Sequence, residues 1–285
     1  MASGNDAKSG EPPRGSPWDD PLDSAPLAFI DLELTGLRAA TDRVIEVCIE
    51  RVRGGAVEDR LATLVRPDPP VMGNVHIHNI EPHALADAPT YPEIAGRIQQ
   101  ILTGAIVVAH AAWHDVEFLA AEHARAGIAF DPPPYVDTLS LSRRAFALKS
   151  HSLVALCQTL GIPHDRPHRA EPDVAAMRAV FEKIVGVLRP ATPRDLWHVR
   201  VGERHARPEV LACASRAVEQ GSDVVVRYRP AHRGPEDLKM RLTAVRTDLD
   251  PPRVLGYLLA SRGRRELRAD RILAIFDGQK PALPA

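Results

Sequence analysis

The chain has 285 residues, with 36 Lys+Arg against 37 Asp+Glu for a formal charge of -1, and 45% of it is hydrophobic; at about 150 residues per domain this predicts two domains. No apolar run approaches the roughly 18 to 20 residues a membrane-spanning helix needs, which excludes a helical membrane protein, and the apolar fraction argues against wholesale disorder. The near-neutral total hides a split, since residues 206–285 carry +5 and residues 1–205 carry -6. That division suits an acidic part holding metal beside a basic part attracted to polyanions, although solvated faces of either sign are the commoner cause.

The opening stretch, MASGNDAKSGEPPRGSPWDD, has no apolar h-region, does not read as a secretory signal, and predicts a disordered tail over residues 1–26. Leu27–Leu32 is an apolar run of strand length, and Arg43–Val52 alternates as a strand does, with Val44, Glu46, Cys48 and Glu50 opposite Ile45, Val47 and Ile49. A third strand is expected over Ala62–Arg66, then a helix over Pro92–Leu102 and a short buried strand over Ala105–Ala109. Helical spacing follows at Trp113–Ala126, Thr138–Ala147, Ser152–Leu160 and Asp173–Leu188, giving an α/β domain with a mixed sheet over residues 27–188. Residues 189–207, with RPATPRD at their start, read as a linker. Beyond it come one helix, Glu209–Gln220, and short strand-like segments at Val224–Tyr228, Leu242–Val245, Val254–Ala260 and Ile272–Phe276, which together predict a small barrel or sandwich over residues 208–280. Three cysteines, Cys48, Cys157 and Cys213, are too few and too scattered for a disulfide framework, so a reducing compartment, the bacterial cytoplasm, is expected.

In AFIDLELTGL, Asp31 and Glu33 stand two apart at the end of an apolar strand, and period-two geometry turns both carboxylates to one side of the sheet. Two adjacent acids among apolar neighbours repel each other and lose hydration, so a cation between them is expected, and carboxylate oxygens suit Mg²⁺ or Mn²⁺. Asp115 falls in the opening turn of the helix after the AIVVA strand, within reach of the strand ends. In PHRAEPDVAAM, Pro172 suits the first turn of a helix, which puts Asp173 in that turn and leaves His168 on the loop before it. Each of these signals is weak alone.

Taken in order, D-x-E, D and H-x-A-x-x-D resemble the DEDDh group of the DnaQ-like 3′-to-5′ exonucleases in the ribonuclease H-like superfamily. Thr35 and Gly36 after the first motif, the IHNIEPHALADAPTY segment, FL after Asp115, YVDTLSLSRR and KSHSLVALCQTLGI belong to the same resemblance. It implies a ribonuclease H-like mixed sheet flanked by helices, two Mg²⁺ or Mn²⁺ ions held by Asp31, Glu33, Asp115 and Asp173, and His168 as general base. It implies a structural role for Asp137 and contacts to a nucleic-acid 3′ end from Leu34, Thr35, Gly36, Leu37 and His110, with nucleoside 5′-monophosphates as products. Ala111 and His114 depart from the family's usual H-N-A-x-F-D, which is expected to alter substrate grip and not metal binding. His76 and His78 are expected to be structural or to contact substrate, and His151, His164 and His198 have no usable spacing.

The C-terminal part, with VVVRY at 224–228, GYLLA at 256–260 and RELRADRI at 265–272, resembles the WYL domain, an SH3-like β-barrel, with Gly256 in place of the signature Trp. The resemblance implies nucleic-acid or nucleotide binding through Arg265, Arg268 and Arg271, of which at most two can share a strand face. The leading expectation is a metal-dependent 3′-to-5′ exonuclease; the alternatives are a regulatory binding protein using the fold as scaffold and a polymerase-associated proofreading subunit. DNA versus RNA, strandedness and oligomeric state are not legible in the sequence.

Overall fold

The computed structural model describes residues 11–146, 148–201, 206–230, 235–249 and 251–277. They fall into two compact units: one comprises the chain up to Ser140, Ser150–Ile184 and Pro190–Trp197, and the other comprises Leu141–Lys149, Val185–Arg189 and the chain from His198 onward. The elements in chain order are β1 (Leu27–Leu34), β2 (Val44–Arg53), β3 (Ala56–Leu64), α1 (Val75–His78), α2 (Tyr91–Leu102), β4 (Ile106–Ala109), α3 (Ala112–Arg125), β5 (Tyr135–Asp137), α4 (Thr138–Ala145), α5 (Leu153–Leu160), α6 (Ala170–Leu188), α7 (Pro193–Val201), α8 (Pro208–Gln220), β6 (Asp223–Tyr228), β7 (Glu236–Arg246), β8 (Arg253–Leu258), β9 (Arg264–Arg268) and β10 (Ile272–Asp277).

The first unit holds a mixed sheet in the order β3-β2-β1-β4-β5, antiparallel across β1, β2 and β3 and parallel across β1, β4 and β5. This is the α/β mixed sheet the sequence predicts. β1 is central, and its alternation assigns each face a task. Phe29, Asp31 and Glu33 share one face with Glu50, Cys48 and Glu46, their partners on β2. On that face α6 is seated by three contacts spread along it. Arg169, just before α6, makes a two-pronged ion pair with Glu46 at 3.0 and 2.7 Å, Arg178 pairs with Glu50 at 2.7 Å, and Phe181 meets Phe29 edge to face at 5.4 Å. Ala28 and Ile30 point to the other face and are fully buried. Arg51, opposite Ala28, donates to the Ile101 carbonyl at 3.0 Å and so fixes α2 on that side.

α3 is tied to the sheet by a buried charge pair. Arg43, at the entrance to β2, donates through Nε and Nη2 to both oxygens of Glu122 at 2.7 and 2.9 Å, and the Val44 amide adds a third bond at 3.2 Å. Arg125 also pairs with Glu122. A buried carboxylate is tolerated where its lone pairs are this fully engaged.

The second unit holds an antiparallel sheet in the order β10-β6-β7-β8-β9. Val210, Ala214 and Ala217 of α8 pack with Val224, Val226, Met240, Leu242, Val254 and Ile272 to form its core. The expected barrel is not what forms: among the described residues β9 and β10 are edges of an open sheet and do not pair with each other. Gly256 is required by close packing. β7 shifts register between Leu242 and Ala244, and a Cβ on Gly256 would lie 2.4 Å from the Arg241 carbonyl oxygen. The Trp of the WYL signature has no room there.

Two further expectations are corrected. The stretch 11–26, where composition predicts a tail, is exposed over most of its length but anchored at points: Trp18 is 3% exposed, its carbonyl accepts the Arg194 amide, and Leu22 donates to Ala191. The expected linker over 189–207 contains α7, whose Leu196 is fully buried. Residues 1–10 of the tail, 147 of the expected third helix, 202–205 of the linker, and 231–234, 250 and 278–280 of the expected C-terminal domain lie outside the described residues.

Candidate active site

β1 is the central strand, and Asp31 and Glu33 stand in its C-terminal half, just before the register shift between Glu33 and Leu34. α6 begins nearby because the Ala170 amide donates to Glu46 Oε2 at 3.0 Å beside the Arg169–Glu46 pair. The result is a cluster in which oxygens of Asp31, Glu33 and Asp173 all lie within 4.8 Å of one another. Asp115 joins from the first turn of α3, buried and close enough to Asp31 to repel it.

The position of Asp115 depends on Asp137. One oxygen of that buried carboxylate accepts the amides of Ala111 (2.9 Å) and Leu139 (3.1 Å), while the other accepts the hydroxyl and amide of Ser140 at 2.6 and 3.3 Å. A single side chain at the end of β5 therefore satisfies orphan amides at the starts of both α3 and α4. Ala111 precedes α3 with φ of 69°, and its amide bond to Asp137 holds that turn.

Burial raises all four acids, and repulsion from the others adds to it at Asp31 and Glu33. Desolvation, then Asp115, Asp173, Glu33 and Glu46, push Asp31 well above the usual carboxylate range. Burial, with Asp173 and Glu46 adding to it, raises Glu33 to about 8, and burial raises Asp115 to about 8. Asp173 is raised by burial, with His164 and the His168 amide pulling the other way. Hard oxygen donors held together at this cost fit a divalent cation, whose charge would reverse the repulsion.

A pH dependence follows for the metal-free protein. Glu33 and Asp115 keep protons in the folded state up to about pH 8, whereas the unfolded chain releases them near its ordinary values of 4.5 and 3.8. Their contribution to stability is present below pH 4 and is lost as pH rises toward 8. In EDTA the unfolding temperature should fall between pH 5 and pH 8 by calorimetry; a rise across that interval would show that these acids are ionised in the fold.

The remaining predicted residues separate. His168 has φ of 62° on the loop before α6, donates its amide to Asp173 Oδ2 at 3.3 Å and exposes its ring. Leu37 is 78% exposed and Leu34 half-buried. Thr35 is buried and locked to Arg43 by its amide (3.0 Å) and by its hydroxyl, which accepts the Arg43 amide at 2.9 Å. Gly36 faces Asp42, where a Cβ would lie 2.3 Å from a carboxylate oxygen, so both residues shape the turn that carries Leu37. His110 engages both ring nitrogens internally, with Thr138 at 3.0 Å and the His151 carbonyl at 2.9 Å. His78 is likewise internal, bonded to the Gly73 carbonyl and the Ile80 amide. Arg265, Arg268 and Arg271 are not gathered into one site: Arg265 is exposed, Arg268 makes a two-pronged pair with Asp270 at 3.0 and 2.7 Å, and Arg271 sits half-buried in the turn after β9. Three groups at the acidic cluster escape sequence reasoning: Glu46 and Arg169, whose pairing depends on register, and His164, whose Nε2 lies 2.6 Å from Asp173 Oδ1.

A mixed sheet in this order, with buried acids converging beside its central strand, defines a ribonuclease H-like nuclease domain. The chain belongs to the exonuclease (RNase T) family, whose profile matches residues 28–181. A PolC-type DNA polymerase III of Bacillus cereus is 32% identical over 157 residues, 54% of this chain and 11% of that protein. A 3′-5′ exonuclease DinG of Staphylococcus epidermidis is 34% identical over 167 residues, 56% of this chain and 18% of its own length. The chain thus spans less than a fifth of either relative. Among solved structures, E. coli exonuclease I in complex with a dT13 oligonucleotide shares the fold with a TM-score of 0.54 at 16% identity, over 90% of this chain and 66% of that one. A zinc-bound form of the same enzyme with single-stranded DNA gives 0.54 at 19% identity, over 83% and 55% of the respective chains.

Proposed function

We propose that the protein is a metal-dependent 3′-to-5′ exonuclease that releases nucleoside 5′-monophosphates from a nucleic-acid end. The observation that carries this reading is the convergence of Asp31, Glu33 and Asp173 within 4.8 Å, with Asp115 alongside, all raised above their ordinary pKa range. A scaffold without catalysis gains nothing from burying like charges. These four acids would hold Mg²⁺ or Mn²⁺, and two such ions supply polarisation of the phosphodiester and stabilisation of the leaving oxygen. His168 takes the proton of the attacking water, a role supported by its exposed ring beside Asp173. Leu37, exposed on the turn after β1, packs against the terminal base. Arg169 balances the cluster by drawing Glu33 toward ionisation from its pairing with Glu46. The +5 charge of residues 206–285 supports diffuse attraction to nucleic acid more than a site built from Arg265, Arg268 and Arg271.

The testing experiment incubates the full chain with matched single- and double-stranded DNA and RNA in Mg²⁺, Mn²⁺ or EDTA. Digestion that requires a divalent ion supports the reading, and absence of digestion in every condition removes it. Within an active protein, His168→Ala should lower kcat roughly 10²-fold at saturating metal while leaving Mn²⁺ affinity unchanged. Equal turnover in the variant would take the proton-transfer role away from His168.

A further inference from the structure

Asp173 is gripped by a histidine other than His168. His164, on the stretch between α5 and α6, brings Nε2 to 2.6 Å from Asp173 Oδ1, and its side chain is only 4% exposed. Its Nδ1 is buried with no hydrogen-bond partner among the described residues, so the contact with Asp173 is the polar bond that fixes the ring. A carboxylate only accepts, so Nε2 is the donor of this 2.6 Å hydrogen bond when Asp173 is ionised.

We infer that His164 is a positioning residue that fixes the Asp173 carboxylate for metal binding; this rests on the metal-dependent reading of the acidic cluster. Burial decides between the roles of the two histidines. The His164 ring is 4% exposed and already bonded to Asp173, whereas His168 is an exposed residue, so the water-facing role falls to His168. His164 acts through Asp173 instead. A carboxylate offers about four lone-pair directions, so one bond on Oδ1 and one from the His168 amide on Oδ2 leave capacity on both oxygens for a cation. Without His164, the repulsion between Asp173 and its neighbours Asp31 and Glu33 is opposed by His168 alone, whose amide bond is 3.3 Å long, and the hold on the Asp173 carboxylate is weakened. Partners of this kind, bonded to a ligand and not to the metal, commonly govern affinity by 10- to 100-fold.

The test is calorimetric titration of the full chain with Mn²⁺, comparing wild type with His164→Ala, His164→Gln, His168→Ala and Asp31→Ala, alongside thermal unfolding in EDTA. Gln offers an amide N–H at about the reach of Nε2. Expected are a 10- to 100-fold loss of Mn²⁺ affinity in His164→Ala, recovery of most of it in His164→Gln, and wild-type affinity in His168→Ala. Raising Mn²⁺ should return His164→Ala to within a few-fold of wild-type kcat but should not rescue His168→Ala. Should His164→Ala melt far below wild type, His164→Leu, which keeps bulk and lacks a donor, replaces it in the comparison with Gln. Wild-type affinity in the donor-less variant, or equal losses in it and in Gln, overturns the inference. A wild-type protein whose Mn²⁺ binding is absent, or survives Asp31→Ala intact, overturns the metal reading itself and is told apart by that control.

Discussion

Asp31→Asn should abolish nuclease activity, by at least about 10³-fold in kcat, and at the same time make the metal-free protein more stable. Both effects come from the same crowding. Asp31 is raised well above the carboxylate range by burial and by Asp115, Asp173, Glu33 and Glu46, so ionising it in the fold opposes folding unless a cation is present. An amide of nearly the same shape removes that repulsion and removes an anionic ligand. A 10³-fold loss corresponds to about 4 kcal/mol of transition-state stabilisation, a reasonable share for one charged metal ligand. Unfolding in EDTA at pH 8 and turnover in Mn²⁺ measure the two halves separately. A variant that loses activity and also loses stability in EDTA would show that Asp31 supports the fold and is not held there against electrostatic cost.

Glu122→Ala should be the most damaging substitution away from the acidic cluster. Its carboxylate is 1% exposed and receives two bonds from Arg43 and one from the Val44 amide, with Arg125 at 3.3 Å. Truncation strands the Arg43 guanidinium, itself 9% exposed, in a site built for a counter-charge. Breaking a buried pair from one side costs about 3–5 kcal/mol, which for a domain of this size lowers the unfolding temperature by roughly 10 °C. Because Arg43 also anchors Thr35 through its amide and carbonyl, the turn after β1 should loosen, and activity at low temperature should fall as well. Circular dichroism melts decide it; a shift of under 2 °C would mean that water solvates Arg43 in the variant.

Features with a local pattern were legible in the sequence. Asp31 and Glu33 share a face because strand periodicity alone demands it, and His168 stays outside α6 because Pro172 fixes where that helix starts. What escaped depends on pairing between distant segments. Glu46 shows only as one member of an alternating strand until the register sets it opposite Glu33 and beside Arg169, 123 residues away. β5 has three residues, too few to show a period, and β9 is an edge strand of Arg264, Arg265, Glu266 and Arg268 around one buried Leu267, which reads as a charged loop. Trp18 and Leu196 are single apolar anchors in Pro- and Gly-rich surroundings, and composition averaged them away. In the second unit, resemblance at RELRADRI could not reveal that Gly256 packs against a bulged β7 or that β9 and β10 end as edges of an open sheet among the described residues, because both depend on strand pairing.

The most direct test of the acidic cluster as a nuclease centre is a time course on a single strand labelled at its 5′ end, with the full chain and Mn²⁺. The account predicts a ladder that shortens one nucleotide at a time from the 3′ end, with 5′-monophosphates as the released product and no digestion by Asp31→Asn. Label released at once as a mononucleotide, internal cuts, or an undiminished ladder with Asp31→Asn would contradict it.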